Sequence, residues 1–398
     1  MDDMPVRFAD RISRTKASEI REILKVTQNP EIISFAGGLP APELFPIEGV
    51  KKADAAVLDE SGMTALQYTT TEGYDPLRTW IAERLNKRNG TSMDKDNIMI
   101  THGSQQALDL AGKVFLDEGD VVLCESPTYL AAITAFRSYG CEFVDISTDE
   151  NGMIMSELRK AMDENDRIKL IYIVPNFQNP TGRTWSLERR KELAEISAEK
   201  RIAVIEDDPY GEIRFEGRDI RSVQSLDAAG NVLSTGTFSK IFCPGFRIGW
   251  IAGDKRITRK FVLVKQGTDL QCNTFAQMSI SKYLEQNDID AHIRIIRETY
   301  KKRRDLAVMT MKENFPKGVT FTEPEGGLFA WIELPGHMNA RDVLVRCLER
   351  KVAFVPGGSF FANGGHENTL RINFSNMPED RIVTGLKIMA EVFKEFMQ

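Results

Sequence analysis

Between residues 97 and 252, short apolar runs alternate with helical patterns, and this alternation constrains the fold more than any other feature of the chain. Segments such as "SQQALDLAGKVFL" and "SLERRKELAEISAEK" have the 3.6-residue spacing of amphipathic helices. Runs that are apolar on both faces, separated by such helices, indicate a buried sheet of mostly parallel strands with helical crossovers. We therefore expect an α/β fold whose large domain holds a mostly parallel seven-stranded sheet flanked by helices. The seven runs are "NIMIT", "DVVLC", "CEFVDI", "KLIYIV", "IAVIE", "NVLSTGT" and "RIGWIAG".

After residue 252 the pattern changes to a long helical stretch over 288–314, followed by "VTFTEP", "GLFAWIEL", "VAFVP" and "TLRINFS" with further helices. This pattern predicts a smaller α+β domain. A chain of 398 residues is also too long for one core, since single cores stop growing at about 250–300 residues. We expect an N-terminal helix and substrate-closing segment over 1–45, a large domain over 46–285 and a small C-terminal domain over 286–398.

Composition argues against several classes of protein. The net charge of −6 provides no positive field for nucleic acid, and no stretch approaches the roughly 20 apolar residues of a membrane span. The N-terminus lacks the apolar core of a secretory signal. The five cysteines include no CxxC motif and the four histidines no HExxH motif. We expect a cytoplasmic protein with reduced thiols and no metal site, whose ligands are small molecules rather than nucleic acid or membrane.

Polar side chains that could do chemistry follow five of the seven runs. In open parallel sheets, ligands bind beyond the carboxyl ends of the strands. Each residue has an ordinary structural explanation, such as a helix cap or a turn, but their occurrence at one edge of the sheet predicts a binding site. These residues are Ser104, Tyr129, Asn176, Asn179, Asp207, Asp208, Tyr210, Ser239 and Lys240.

The chemistry of this set suits a phosphorylated aldehyde. Ser104 opens a helix directly after Gly103, and the guanidinium of Arg247 could bind phosphate as a fork. The sequence lacks both GxGxxG and GxxxxGK[ST], which are typical of dinucleotide and P-loop sites. A lysine, a carboxylate, a phenol and a stacking aromatic ring match the aldehyde, ring nitrogen, ring hydroxyl and ring face of pyridoxal 5′-phosphate.

Longer motifs carry a resemblance to a known family. From about residue 10 to the C-terminus, and in the same order, the chain resembles the fold-type I pyridoxal-phosphate aminotransferases of class I/II. Within them it is similar to the 2-aminoadipate and kynurenine aminotransferase subgroup. The motifs are "ISFAGGLPAPELFP", "LQYTTTEGYDPLR", "GSQQALDL", "NFQNPTG", "EDDPYGEI", "FSKIFCPGFRIGW", "PEGGLFAW", "VAFVPGGSFF" and "TLRINFSN".

The resemblance implies catalytic roles for residues at matching positions. Lys240 would bond to the cofactor aldehyde and later move the proton at the substrate Cα, with its pKa lowered by burial and by Arg247. Asp207 would pair with the pyridine nitrogen. Tyr210 and Asn179 would face the ring oxygen, and the substrate too in the case of Asn179.

The resemblance also implies how the rest of the cofactor is held. Tyr129 would stack on its ring. Tyr68 would reach the cofactor phosphate of a second subunit, so the protein would be an obligate homodimer. The phosphate shell would comprise Ser104, Gln105, Thr237, Ser239 and Arg247.

Four further positions match the substrate site of the family. Arg371 would clamp the α-carboxylate, and Gly37 and Gly38 lie in the segment that closes over substrate. Arg21, in the N-terminal helix, would reach the distal carboxylate of an acidic substrate; a solvated surface arginine is its alternative interpretation.

The implied reaction is transfer of an amino group in two half-reactions. The donor would be 2-aminoadipate or an aromatic or branched-chain L-amino acid, and the expected acceptor is 2-oxoglutarate. A pyridoxal-phosphate lyase or decarboxylase on the same fold is the enzymatic alternative. A remote alternative is the aminotransferase-like half of a transcription regulator. We disfavour it because such proteins carry a DNA-binding domain before this fold, and the resemblance begins near residue 10.

Overall fold

The computed structural model of the chain describes residues 29–397 together with Val6, Phe8, Ala9 and Ile12. Its helices in this part are α1 (Ile47–Ala65), α2 (Asp75–Asn89), α3 (Gly103–Phe115), α4 (Leu130–Arg137), α5 (Met155–Glu164), α6 (Leu187–Lys200), α7 (Lys255–Gln266), α8 (Thr274–Gln286), α9 (Ile289–Asn314), α10 (Ala340–Glu349) and α11 (Glu379–Phe396). Its strands are β1 (Ile33–Ser34), β2 (Ile98–Thr101), β3 (Val121–Ser126), β4 (Glu142–Asp149), β5 (Gly152–Met153), β6 (Ile168–Ile173), β7 (Ala203–Asp207), β8 (Val232–Thr237), β9 (Gly249–Ala252), β10 (Thr320–Phe321), β11 (Phe329–Glu333), β12 (Val352–Ala353), β13 (Val355–Pro356) and β14 (Thr369–Asn373). None of the described helices is long and apolar enough to cross a membrane.

The large sheet has the strand order β2-β9-β8-β7-β6-β3-β4-β5. All seven predicted strands are present, and neighbours from β8 to β4 pair in parallel, which confirms the mostly parallel sheet. The eighth strand, β5, is a two-residue antiparallel return at the edge beside β4. Two residues are too few to produce a hydrophobic pattern, so the sequence shows no sign of it.

Strand β9 runs antiparallel to both β8 and β2. Its first residue, Gly249, pairs with Thr237 at the end of β8 and with Thr101 at the end of β2. A Cβ at Gly249 would lie 2.7 Å from backbone atoms of Gly103 and Gly236, so only glycine fits this close approach. The reversal brings Arg247, which precedes β9, to the edge where the parallel strands end.

The strands of the large sheet are apolar on both faces because helices cover both. Leu108 of α3, Phe136 of α4 and Phe261 of α7 belong to the core on one face. Leu158 of α5 and Leu193 of α6 belong to the core on the other. Burying such a side chain contributes about 1.5–3 kcal/mol, and all five are fully buried.

The C-terminal part contains an antiparallel four-stranded sheet with the order β10-β11-β14-β13, together with α10 and α11. Helix α9 joins this part to the rest, since Ile293 packs in a core with β2 residues while Met311 packs in the core of the small sheet. Strand β1 pairs in parallel with β12, so the segment around Phe35 belongs to the small core. The predicted domain boundaries at residues 45 and 285 stay predictions.

Candidate active site

A cavity of about 700 Å³ opens at the edge where β8, β7 and β3 end. The structure brings most of the predicted site residues together in its wall. Tyr68 lies elsewhere on the surface, Gly37, Asn176 and Asp208 do not line the cavity, and Arg21 lies outside the described residues. The predicted residues that line the cavity are Gly38, Ser104, Gln105, Tyr129, Asn179, Asp207, Tyr210, Thr237, Ser239, Lys240, Arg247 and Arg371.

Lys240 lies in the turn that follows β8, and its Nζ donates a hydrogen bond of 2.7 Å to the carbonyl oxygen of Gly38. Burial, followed by the positive charges of Arg371 and Arg247, lowers the pKa of the Lys240 amine to about 8. The sequence predicts that burial and Arg247 lower this pKa. Arg371, more than a hundred positions further along the chain, acts more strongly than Arg247. Roughly a tenth of this amine is therefore neutral at pH 7, far more than for an ordinary lysine.

Asp207 is the last residue of β7 and is only 2% exposed. Tyr172 Oη donates to its Oδ2 at 2.9 Å, and Thr235 Oγ1 donates to its Oδ1 at 2.7 Å. Burial raises the pKa of Asp207 to about 6, although both hydroxyls act in the opposite direction. The carboxylate is therefore mostly ionised at neutral pH while facing a cavity.

Asp208 points into a different environment from Asp207. Its Oδ1 accepts hydrogen bonds from Asn176 Nδ2 at 2.9 Å and from the backbone N–H of Gly211 at 2.8 Å. Asp208 Oδ2 lies 3.8 Å from Nη1 of Arg88. The polar cluster predicted from the sequence therefore divides in two, and Asp208 and Asn176 serve the structure of the loop rather than the cavity.

The end of the cavity near α3 combines a helix N-terminus, hydroxyls and a guanidinium. No side chain caps α3, so its first N–H groups remain free for a ligand. Gly103 has a φ of +69°, and a Cβ there would lie 2.6 Å from Nη2 of Arg247. Arg247 Nη1 donates to Ser239 Oγ at 3.5 Å, and Thr237 Oγ1 donates to the same oxygen at 2.9 Å. This arrangement suits a doubly charged phosphate.

Arg371 lies in the middle of β14 and is 3% exposed. Its Nη1 and Nη2 donate at 2.7 Å to Asn179 Oδ1 and to the carbonyl oxygen of Ala36. Both partners are uncharged, Nε has no partner, and the guanidinium lies 4.1 Å over the ring of Phe329. Burial lowers the pKa of Arg371 to about 10. A buried cation paired only with neutral groups is ready to receive a carboxylate.

Two tyrosines complete the polar wall. Tyr210 is 5% exposed, forms a side-chain hydrogen bond with Asn179 and packs edge-on against Phe329, with ring centroids 5.8 Å apart. Burial raises the pKa of Tyr210 well above its usual range and that of Tyr129 to about 12. Both phenols therefore remain protonated and can donate hydrogen bonds.

The site's geometry agrees with a comparison against known families. The family described as aminotransferase class I and II matches residues 32–387. This chain belongs to that family. The aminotransferase is 44% identical over 395 residues to aromatic-amino-acid aminotransferase 1 of Thermococcus litoralis, covering 98% of this chain and 95% of the relative.

Solved structures resemble this aminotransferase over nearly its whole length. Kynurenine aminotransferase of Pyrococcus horikoshii, in complex with PMP, has a TM-score of 0.94 at 44% identity, with 98% of both chains covered. The α-aminoadipate aminotransferase of Thermus thermophilus, complexed with N-(5′-phosphopyridoxyl)-L-leucine, has a TM-score of 0.91 at 39% identity, again with 98% of both chains covered. The protein is therefore a fold-type I, pyridoxal-phosphate-dependent aminotransferase.

The residues of this aminotransferase fit its cofactor. The space left by the missing side chain of Gly103 opens a cradle for the phosphate beside Arg247. The amine of Lys240 and the carboxylate of Asp207 line the same cavity, as an aldehyde and a ring nitrogen require.

Two residues that act on the site through Asp207 were not predicted from the sequence, namely Tyr172 and Thr235, which both donate to its carboxylate. A tyrosine within an otherwise apolar run was the available signal for Tyr172, whereas Thr235 is one of several hydroxyl residues in its run and has no such signal. Tyr172 interrupts "KLIYIV", and Thr235 lies in "NVLSTGT".

A cluster near α3 has side chains of the kind that bind metals, namely His102, Asp269 and Cys272. His102 Nδ1 lies 2.8 Å from Asp269 Oδ2. The fully buried Lys265 donates to both oxygens of Asp269, at 2.7 and 2.8 Å. Burial also raises the pKa of the Cys272 thiol to about 11. An ammonium group bound to the carboxylate and a protonated thiol do not suit a metal ion.

Proposed function

We propose that this aminotransferase takes the amino group of an aromatic or other large L-amino acid, 2-aminoadipate included, and delivers it to 2-oxoglutarate. The observation that carries the proposal is the buried Arg371, paired with neutral groups, in a wall that also offers apolar side chains. The cations among the described residues of that wall are Lys240, Arg247 and Arg371. The apolar residues that could accept a donor side chain include Leu39, Leu130, Ala131 and Phe329.

Arg371 binds the substrate α-carboxylate in this proposal. Its guanidinium is planar and held by Asn179 and Ala36, so it offers a fixed fork to a carboxylate. Gly38, whose carbonyl accepts from Lys240, belongs to the segment that closes over the substrate. Substrate binding would exclude water from the cavity and strengthen the charge pairing.

Lys240 is the proposed acid–base group. When bound, pyridoxal 5′-phosphate supplies an aldehyde that receives the amino group and a ring that withdraws electrons. Neutral Lys240 would take the proton from the substrate Cα and deliver it to C4′ of the cofactor in the first half-reaction, and would move a proton from C4′ to the Cα of the new amino acid in the second. A pKa of about 8 suits both steps because it lies near the working pH.

The other cavity residues hold the cofactor. Asp207 would place a negative charge against the ring nitrogen, and Tyr210 and Asn179 would donate to the ring oxygen. Tyr129 would stack on the ring face. The proposed phosphate ligands are Ser104, Gln105, Thr237, Ser239 and Arg247, with the N-terminus of α3.

We also propose a homodimer in which Tyr68 reaches the cofactor phosphate of the partner subunit. Tyr68 is 79% exposed and does not line the cavity of its own chain. Met63 and Leu66 beside it are 93% and 75% exposed. Neighbouring exposed apolar side chains of this kind mark interaction surfaces. A partner subunit that covered them would remove the unfavourable free energy of their exposure to water.

Two further parts of the proposal rest mainly on the sequence. We propose that Arg21 pairs with the distal carboxylate of 2-aminoadipate or glutamate, and that the domains divide near residues 45 and 285. A cytoplasmic location is proposed because all five cysteines are free, which suits a reducing compartment.

A panel of amino donors tests the proposed function. Phenylalanine, tyrosine, kynurenine, leucine and 2-aminoadipate are each assayed with 2-oxoglutarate and ranked by kcat/KM, with formation of glutamate as the readout. We expect turnover of large donors with stoichiometric glutamate. Release of ammonia or carbon dioxide without glutamate would instead favour the lyase or decarboxylase alternative. In the same panel, Arg21→Ala should lose roughly tenfold on 2-aminoadipate alone, and equal losses on all donors would contradict its role.

A further inference from the structure

Two buried hydroxyls bind the two oxygens of Asp207 from opposite sides. Tyr172 lies in β6 and Thr235 in β8, the strands that flank β7. Both side chains are 1% exposed, and they donate to Oδ2 at 2.9 Å and Oδ1 at 2.7 Å. Each carboxylate oxygen thus accepts one hydroxyl, and the remaining lone pairs are free to face the cavity.

The ionisation of Asp207 depends on these hydroxyls, because no cation among the described residues strongly affects its pKa. Burial is the largest influence and raises the pKa of Asp207, followed by the opposing effects of Thr235 and then Tyr172. The negative charge of Asp208 opposes ionisation as well. The other titratable groups that interact with Asp207 across the cavity are Tyr129 and Tyr210, which are neutral phenols.

We propose that Tyr172 and Thr235 are positioning residues that keep Asp207 ionised and aimed into the cavity, so that it can pair with the ring nitrogen of the cofactor. This inference rests on the proposed role of Asp207. Tyr172 touches neither the cavity nor the substrate, so it acts only through the carboxylate.

Tyr172 is suited to a clean test because its ring and its hydroxyl have separate functions. The ring packs edge-on against Phe136, with centroids 5.7 Å apart, and burial raises the pKa of Tyr172 so that it remains a donor. Tyr172→Phe keeps the packing and removes only the hydroxyl. Tyr139→Phe is a matched control, because Tyr139 Oη also donates to a carboxylate, Asp109 Oδ1 at 2.8 Å, away from the cavity.

The dissociation constant of pyridoxal 5′-phosphate is measured between pH 5.5 and 9 for the wild type, Tyr172→Phe, Thr235→Val and Tyr139→Phe, together with the absorbance titration of each loaded enzyme. Loss of one donor should raise the pKa of Asp207 by about one unit and weaken cofactor binding about threefold at pH 6.5. The acidic limb of the binding curve should move to higher pH in Tyr172→Phe and Thr235→Val, and not in Tyr139→Phe.

Asp207→Asn separates failure of the inference from failure of the proposed function. If Asp207→Asn removes the acidic limb but Tyr172→Phe leaves it in place, the inference is overturned while the role of Asp207 stands. If Asp207→Asn leaves the pH dependence unchanged, the role of Asp207 fails and the inference fails with it. A Tyr172→Phe protein that is merely less heat-stable, with an unshifted limb and spectrum, contradicts the proposal.

Discussion

Lys240 and Asp207 line one cavity, and burial shifts the pKa of each towards its neutral form. The pKa of Lys240 falls to about 8, so its charge opposes folding below pH 8, and this penalty fades as pH rises towards 10.5. The pKa of Asp207 rises to about 6, so its charge opposes folding above pH 6, and this penalty fades as pH falls towards 3.8. Near pH 7 both penalties apply to the cofactor-free protein.

The first prediction concerns this penalty at Lys240. Lys240→Met should raise the melting temperature of the cofactor-free protein at pH 7 by a few degrees, because a shift of this size corresponds to on the order of 3 kcal/mol. The gain should shrink as the pH approaches 10. Differential scanning calorimetry at both pH values is the measurement, with the exposed Lys191→Met as control. A lower melting temperature at pH 7 would contradict the assignment. Transamination should fall by at least ~10³-fold in the same variant.

The second prediction separates the two neighbouring aspartates. Asp207→Asn should lower kcat by roughly 10²-fold with little change in KM, because the charge matters most when negative charge develops on the ring. Asp208→Asn should instead lower the melting temperature, since Asp208 binds Asn176 and the backbone of Gly211. The measurements are kcat and KM from steady-state kinetics and the melting temperature, for both variants. The opposite outcome would transfer the catalytic role to Asp208.

At the scale of elements, the junction of α3 with β9 forms the end of the cavity that we propose binds the cofactor phosphate. The antiparallel β9 brings Arg247 beside the N-terminus of α3, and both Gly103 and Gly249 lack side chains at this crossing. The helix contributes free N–H groups, and the strand holds the guanidinium of Arg247 beside them. Neither element alone would form an anion site.

The third prediction tests this junction with two glycines of equal φ. Gly103 and Gly90 both have a φ of +69°, but a Cβ at Gly90 meets nothing within 4 Å. Each Gly→Ala substitution should cost about 1 kcal/mol of stability from backbone strain. Only Gly103→Ala should also weaken binding of pyridoxal 5′-phosphate, by roughly tenfold, because the methyl group displaces Arg247. Equal cofactor affinities in the two variants, measured by fluorescence titration, would contradict the proposed cradle.

At the scale of the whole molecule, the cavity lies where the two cores meet. Asp207 and Lys240 come from the large sheet, Arg371 comes from the small sheet, and the segment from Ile33 to Gly38 connects to both. That segment pairs with β12 of the small core while its carbonyl groups accept from Arg371 and Lys240. Movement of the small core would therefore carry the proposed substrate clamp, Arg371, and the proposed closing segment together.

The fourth prediction tests whether the site also needs a second subunit. Lys240→Ala and Tyr68→Ala proteins, each poorly active alone, are mixed and allowed to exchange subunits. If Tyr68 acts on the partner's site, each mixed dimer contains one complete site. An equal mixture should then regain about a quarter of the wild-type activity, since half of the dimers are mixed. No gain in activity, despite exchange verified by native mass spectrometry, would place Tyr68 on its own site or on none.

Local patterns and contiguous motifs were enough to predict the seven main strands, the edge at which the site lies and the family. Twelve of the residues that the sequence predicts for the site line one cavity in the structure. The tertiary structure added the physical difference between Asp207, which the family resemblance already assigned to the cofactor, and its neighbour Asp208, which turns away from the cavity to bind Asn176 and Gly211. It also decided that Tyr172 and Thr235 hold Asp207, and that Arg371 affects Lys240 more strongly than Arg247 does. The physical reason is that strand register and chain reversal bring distant residues into contact. Their positions in the sequence do not predict these contacts.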